Sequence, residues 1–106
     1  LGQLIEGKVL AVKPYGFFID IGGASGLLHQ SSITNGSIRT LREIFVEGET
    51  VKALITEIDL EKGRIGLNTA LLENSTGELI VDKKKVMDEA FDRALKTKAL
   101  FDKKDK

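Results

Sequence analysis

Apolar and polar residues alternate with a period of two along much of the first seventy residues, as they do in half-buried β-strands. In the clearest stretch, Phe17, Ile19 and Ile21 share one face of the predicted strand. The residues between them, Phe18 and Asp20, share the other face. Glycine-bearing turns separate five such segments, which we place near residues 4–12, 17–21, 27–29, 51–59 and 64–68. The pattern predicts an all-β domain built as a barrel or a sandwich.

The alternation stops between the third and fourth predicted strands. Leu41, Ile44 and Phe45 recur there at helical spacing, and Gly48 follows them as a stop signal. We therefore expect a turn or two of helix that plugs one end of a barrel. Five short strands with a helical plug before the fourth predict an OB-type barrel.

The last third of the chain has a different pattern. We expect residues 73–82 to form a loop with an extended piece at 79–81, and a helix to run from about residue 83 to 101 with Asp82 as its N-cap. The apolar stripe of this helix would consist of Val86, Met87, Ala90, Phe91, Ala94 and Leu95. The sequence thus predicts a domain at 1–71, a linker at 72–82 and a charged, amphipathic helical tail at 83–106.

The chain has 106 residues, of which 16 are basic and 16 are acidic, so its formal net charge is zero. Within residues 1–70, seven Lys or Arg residues stand against eight Asp or Glu residues. Many nucleic-acid-binding domains are basic, because neutralising phosphates releases counterions. A nucleic-acid ligand would therefore have to be held here mainly by stacking on aromatic rings and by a few well-placed charges.

Three further features of the composition limit the possibilities. The chain contains no cysteine, which excludes disulfide bonds and thiolate metal sites. No apolar run approaches the ~20 residues that span a bilayer, so we expect no membrane partner. The sequence does not begin with methionine, and we expect it to be part of a longer protein.

The second predicted strand carries two aromatic residues that could bind a ligand. Phe18 is expected on the outer face of the strand, and Gly16 permits a bend that could bring the ring of Tyr15 to the same side. Two exposed rings at this spacing would form a platform for stacked bases. Alternatively, Phe18 could cover the barrel rim or a neighbouring domain. The residues alone leave both possibilities open.

Three polar residues are the other candidates. His29 is the only histidine, and a lone histidine is more often structural than catalytic. Asp59 and Arg64 flank the last predicted hairpin loop and should face each other across it. They could form an ordinary surface ion pair. Alternatively, Arg64 could contact a phosphate or a base while Asp59 orients it.

The sequence offers no set of residues for catalysis. Ser31 and Ser32 lie close to His29 in sequence, but closeness in sequence does not build a catalytic triad. The glycine-rich run at 22–26 lacks the lysine of a phosphate-binding loop. The acidic residues form no recognisable metal-binding spacing. We therefore predict no enzyme activity, no catalytic residue, no metal site and no cofactor.

Several separated segments form one ordered pattern: IEGKV at 5–9, KPYGFFIDIG at 13–22, GLLHQS at 26–31 and IDLEKGRIGL at 58–67. This pattern resembles an S1 RNA-binding domain over about residues 2–70. The resemblance implies a five-stranded OB-type barrel. It also implies an RNA-binding face made of Tyr15, Phe18, His29, Asp59 and Arg64.

Within the family, the chain looks most similar to the third repeat of ribosomal S1 proteins from cyanobacteria and plastids, in which a charged helix also follows. One departure is the sequence Asn-Thr-Ala at 68–70, where the family usually has Ser-Thr-Lys. The resemblance implies binding of single-stranded RNA, in particular messenger RNA during initiation of translation, with little sequence specificity. It also implies association with the small ribosomal subunit, in the cytoplasm or the plastid stroma, and no small-molecule substrate.

Two other functions fit the same resemblance. The domain could anchor its parent protein to the ribosome or to another protein and have lost RNA binding, which the near-neutral charge and the missing lysine favour slightly. It could also be the accessory RNA-gripping domain of a ribonuclease.

Overall fold

A computed structural model describes the backbone of residues 2–104 and the side chains of residues 2–97. Five strands close into a barrel in the order β1-β2-β3-β5-β4. Strands β3 and β5 pair in parallel, and the other neighbouring strands pair antiparallel. The strands are β1 (Leu4–Lys13), β2 (Gly16–Asp20), β3 (Ser25–His29), β4 (Thr50–Asp59) and β5 (Arg64–Asn68). The predicted five-stranded OB-type barrel is confirmed.

The predicted alternation fills the barrel interior. Phe17 and Ile19 of β2 are fully buried, together with Leu28 of β3 and Leu67 of β5. Phe18, between the two buried residues of β2, is half-buried on the outer face. The period of two in the sequence therefore places the Phe18 ring outside the core, where a ligand can reach it.

A short helical plug lies between β3 and β4, as predicted. It consists of single 3₁₀ turns at Gln30–Ser32 and Leu41–Glu43. Three apolar residues at the second turn are buried: Leu41, Ile44 and Phe45. The Phe45 ring meets the Phe17 ring edge-on, with 5.4 Å between centroids. This contact joins the plug to the barrel core.

The helices of the tail begin and end at other residues than predicted. Residues 79–81 are helical rather than extended, because they belong to the short helix α1 (Glu78–Val81). Its Leu79 is fully buried, and the Leu79 N–H donates to the Glu73 carboxylate at 2.8 Å. The single predicted helix is also interrupted at Glu89, which separates α2 (Lys83–Asp88) from α3 (Ala90–Lys104). Residues 105–106 of the predicted tail lie outside the described part of the chain.

The buried face of the tail is narrower than predicted. Val86, Ala90 and Ala94 are buried, but Phe91 and Leu95 are 63% and 54% exposed. Each residue advances about 100° round a helix, so Phe91 and Leu95 lie to one side of the buried line. The position on the other side of that line is Arg93, which is only 5% exposed.

Arg93 fixes the tail through a network of ion pairs. Its guanidinium donates to both carboxylate oxygens of Glu78, at 2.7 and 3.0 Å. It also donates to Glu89 and, at 3.0 Å, to the carbonyl oxygen of Leu72. The hydrogen bond with Arg93 is the main reason that the pKa of Glu78 is lowered, and the same bond raises the pKa of Arg93.

A second carboxylate joins the loop after β3 to the tail. Glu73 accepts hydrogen bonds from the Thr34 hydroxyl, from the Asn35 backbone N–H at 2.8 Å and from Leu79. Burial by itself raises the pKa of Glu73, but these hydrogen bonds outweigh burial and lower it. The predicted linker range thus contains a residue with several structural contacts.

Candidate nucleic-acid interface

Four of the five predicted ligand-binding residues line one open groove on the outside of the barrel. The groove has a volume of about 630 Å³ and lies over β2, β3 and β5. Its lining includes Tyr15, Phe18, His29 and Arg64. The fifth predicted residue, Asp59, does not belong to the lining. We call this surface the aromatic groove.

The two aromatic rings of the groove meet at a right angle. Tyr15, in the turn between β1 and β2, is 42% exposed. Its ring centroid lies 6.2 Å from that of Phe18, with an interplanar angle of 89°. A base stacked on one ring would therefore be nearly perpendicular to a base stacked on the other. Two bases can stack here only if they are splayed apart rather than layered in parallel.

Gly16 allows the rings to approach β3. It pairs with His29 in the β2–β3 ladder. A Cβ atom at Gly16 would lie 2.3 Å from the carbonyl oxygen of Leu28, a distance that no side chain can adopt. The backbone N–H of Gln30 donates to the Tyr15 carbonyl at 2.8 Å on the same side. The absence of a side chain at Gly16 therefore brings Tyr15 close to His29.

The His29 ring is held by the turn that follows it. Its Nδ1 accepts the backbone N–H of Ser31 at 3.1 Å and lies 2.8 Å from the Ser31 hydroxyl. Because Nδ1 acts as an acceptor, a neutral His29 carries its proton on Nε2. His29 thus has a ring N–H available as a donor in a groove that it lines.

Asp59 and Arg64 are paired in the backbone but not through their side chains. They are opposite each other in the β4–β5 ladder, as predicted. Within residues 2–97, no ion pair of 4.0 Å or less joins them. The Asp59 carboxylate instead accepts the backbone N–H of Lys62 at 3.1 Å and so stabilises the hairpin loop. Arg64 remains exposed at the edge of the groove.

Sequence reasoning missed the apolar floor and the acidic edge of the groove. Leu27 and Ile65 line it between the aromatic and charged residues, and Glu57 adds a carboxylate opposite in charge to Arg64. The position of Leu27 on the outer face could have been predicted from the alternation of β3, because its neighbour Leu28 points inward. The groove therefore combines exposed rings and apolar surface with little net charge.

Neither a cluster of metal ligands nor a membrane-spanning helix is found among the described residues. Within that part of the chain, no three His, Asp or Glu side chains are grouped as potential metal ligands. None of the helices described is long and apolar enough to cross a membrane.

Comparison with known proteins gives consistent matches. The family model described as "S1 RNA binding domain" matches residues 1–70. Small ribosomal subunit protein bS1 of a Synechococcus species is 42% identical over 94 residues, which cover 89% of this chain and 31% of that protein. Protein bS1c of Spinacia oleracea is 39% identical over 94 residues, or 89% of this chain and 23% of that protein. The chain thus spans a third or less of these relatives, and the similarity extends beyond residue 70 into the tail.

The fold has also been observed in a solved structure. The solution structure of GSP13 from Bacillus subtilis superimposes with a TM-score of 0.61 at 32% sequence identity. The superposition covers 64% of this chain and 53% of that chain.

Proposed function

Because this chain belongs to the S1 RNA-binding domain family and is homologous to ribosomal protein bS1, we propose that its barrel binds single-stranded RNA in the aromatic groove. The observation that supports this proposal most is the position of the Tyr15 and Phe18 rings and the His29 imidazole in one open groove. All three are outside the core, and each can contact a nucleotide without any rearrangement of the barrel.

The proposed mechanism relies on stacking. One base stacks on Tyr15 and another on Phe18, and each stacked base contributes roughly 1–3 kcal/mol. Because the two rings are perpendicular, the bound nucleotides are splayed. The Nε2–H of His29 donates to a base edge or the backbone, and Arg64 contacts a phosphate or a base. Asp59 acts on this site only through the hairpin loop that it stabilises.

Two properties of binding follow from this mechanism. Sequence preference is slight, because every base offers a π face to stack. Association costs translational and rotational freedom, so two stacked bases leave an affinity in about the micromolar to millimolar range. Several linked domains would raise the affinity by their effective concentration.

We propose a role in translation for the parent protein. Homology to bS1 proteins favours association with the small ribosomal subunit and recruitment of messenger RNA, in the cytoplasm or in a plastid. The chain would correspond to the third repeat of such a protein, with a domain at 1–71, a linker at 72–82 and a helical tail at 83–106. The function is binding rather than catalysis.

The substitution Phe18→Ala tests the proposal, and Phe91→Ala is its matched control. Both remove an accessible phenylalanine ring, but Phe91 lies on the tail and outside the aromatic groove. We expect Phe18→Ala to weaken binding of a short oligouridylate by roughly 5- to 150-fold, which corresponds to the loss of one stacked base. Phe91→Ala should leave the affinity unchanged. Equal affinities of the wild type and Phe18→Ala would refute stacking on this ring.

A second candidate function is protein anchoring. It is favoured by the exposed apolar side chains Phe91 and Leu95 on the tail. The NMR spectrum of the chain during RNA titration separates the two functions. Shifts at Tyr15 and Phe18 support RNA binding. RNA-dependent shifts confined to the tail, and unchanged by Phe18→Ala, support anchoring.

A further inference from the structure

A second groove lies beside the aromatic groove, at the end of the barrel that carries the β1–β2 turn. It has a volume of about 350 Å³, and its lining includes Lys13, Gln30, Arg39 and Arg42. No Asp or Glu residue is part of this lining. We call it the basic groove.

The charge of the basic groove contrasts with that of the barrel. Residues 1–70 contain more acidic than basic residues, yet three of their seven basic residues line this one groove. All three side chains are exposed, and none of them forms an ion pair among residues 2–97. In the aromatic groove, by contrast, Arg64 is offset by Glu57. Three basic residues thus line the basic groove, against one in the aromatic groove.

The two grooves share a rim. Pro14 lines the basic groove and Tyr15 lines the aromatic groove, and Gln30 likewise follows His29 directly. The hydrogen bond from the Gln30 N–H to the Tyr15 carbonyl, at 2.8 Å, holds the two sides of the rim together. A nucleic-acid strand that leaves the Tyr15 ring has only this rim to cross before it reaches the cationic side chains.

We propose that the basic groove binds backbone phosphates of the same RNA strand whose bases stack in the aromatic groove. The inference rests on the proposed function and extends it from bases to phosphates. Arg39 and Arg42 can each form two parallel hydrogen bonds with a phosphate, and Lys13 adds a point charge. The bases of the bound RNA thus contact the aromatic groove, and its phosphates contact the basic groove. Full affinity therefore requires more nucleotides than the two that stack.

The double substitution Arg39→Gln/Arg42→Gln tests this inference. Its matched control is Lys84→Gln/Lys96→Gln, which removes the same charge from exposed tail residues that line neither groove. Each protein is titrated with an oligouridylate of about ten nucleotides, within the ~4–16 that one OB fold covers, and with a trinucleotide. Titrations at several salt concentrations give the slope of log K against log salt.

We expect the arginine variant to lose affinity for the longer RNA and to reduce the magnitude of its salt slope by about 1.4, since each phosphate contact on a single strand contributes about 0.7. Its affinity for the trinucleotide should match that of the lysine control. A slope equal to that of the control would overturn the phosphate site and leave the stacking proposal intact. An equal loss for both RNAs would also overturn it. A wild-type chain that binds neither RNA, or that binds both without dependence on Phe18, would refute the proposed function together with this inference.

Discussion

Replacement of Arg93 by methionine is expected to destabilise the whole chain, although Arg93 lines neither the aromatic groove nor the basic groove. Methionine retains much of the aliphatic volume of arginine and removes only the guanidinium. In the folded chain that guanidinium satisfies two oxygens of Glu78, one carboxylate oxygen of Glu89 and the Leu72 carbonyl. The side chains of Arg93 and Glu78 are only 6% and 11% exposed, so water cannot readily replace the lost donors.

The expected cost follows from this burial. Removal of one partner from a buried ion pair costs about 3–5 kcal/mol, because the remaining charge is left without compensation. Glu78 retains one hydrogen bond, from the Asn74 backbone N–H at 2.7 Å, which favours the lower end of that range. A loss of about 3 kcal/mol is a large part of the ~5–15 kcal/mol that stabilises a domain of ordinary size.

Urea denaturation followed by circular dichroism measures the loss in the free energy of unfolding. Two further variants test whether the unpaired Glu78 charge causes that loss. The double variant Arg93→Met/Glu78→Met should recover most of the stability, because apolar replacement of both buried partners is often close to neutral. Lys96→Met, at an exposed position of the same helix, should change the free energy of unfolding by about 0.5 kcal/mol or less. A cost of less than about 1 kcal/mol for Arg93→Met, or a double variant no more stable than the single variant, would refute a stabilising role of the buried ion pair.

Two further predictions concern single residues. Gly16→Ala places a Cβ atom 2.3 Å from the Leu28 carbonyl oxygen, so β2 and β3 must separate. We expect a loss of about 1–3 kcal/mol in urea denaturation together with weaker RNA binding, and unchanged stability would contradict the close approach. Because the pKa of Glu73 is lowered from its ordinary value of 4.5, its contribution to stability is complete above that pH and is lost as the pH falls through the folded-state pKa. Glu73→Gln should therefore be less stable than the wild type at pH 7, and the difference should shrink below about pH 4.5; a pH-independent difference would exclude this linkage.

The barrel and most of the aromatic groove could be predicted from local patterns. The alternation around Phe18 has a period of two, and this period fixes which face of β2 the ring occupies. The OB-type barrel was then identified from the number of strands and the plug at Leu41. Tyr15 was already a candidate because Gly16 permits a bend towards Phe18. The family resemblance, which the match over residues 1–70 confirms, then implied a role in RNA binding for Tyr15 and His29.

The tail could not be predicted in the same way, because its structure depends on distant partners. Helical periodicity treats Arg93 as a polar surface residue, yet Glu78 and the Leu72 carbonyl draw it into the interior. Its burial sets the rotation of α3 and leaves Phe91 and Leu95 exposed, although both were predicted to pack. Nothing in the local sequence identifies an ion pair formed across such a separation.

The Asp59–Arg64 pair shows that side-chain contacts are harder to predict from sequence than backbone register. The β-hairpin fixes which residues oppose each other, so the backbone register was predictable. It does not fix where a carboxylate points. The Lys62 N–H lies in the loop next to Asp59 and competes with Arg64 for its oxygens, and the backbone donor forms the bond. The role of Asp59 in RNA binding therefore stays a prediction.

The barrel closes along its shortest ladder. Only two residue pairs, Leu27 with Gly66 and Leu28 with Leu67, join β3 to β5. This seam lies beneath the aromatic groove, whose lining includes Leu27 and Gly66. RNA that contacts both His29 on β3 and Arg64 on β5 would bridge the two strands and oppose their separation. If RNA binds in this way, the ligand stabilises the closed barrel, and separation of β3 from β5 weakens RNA binding.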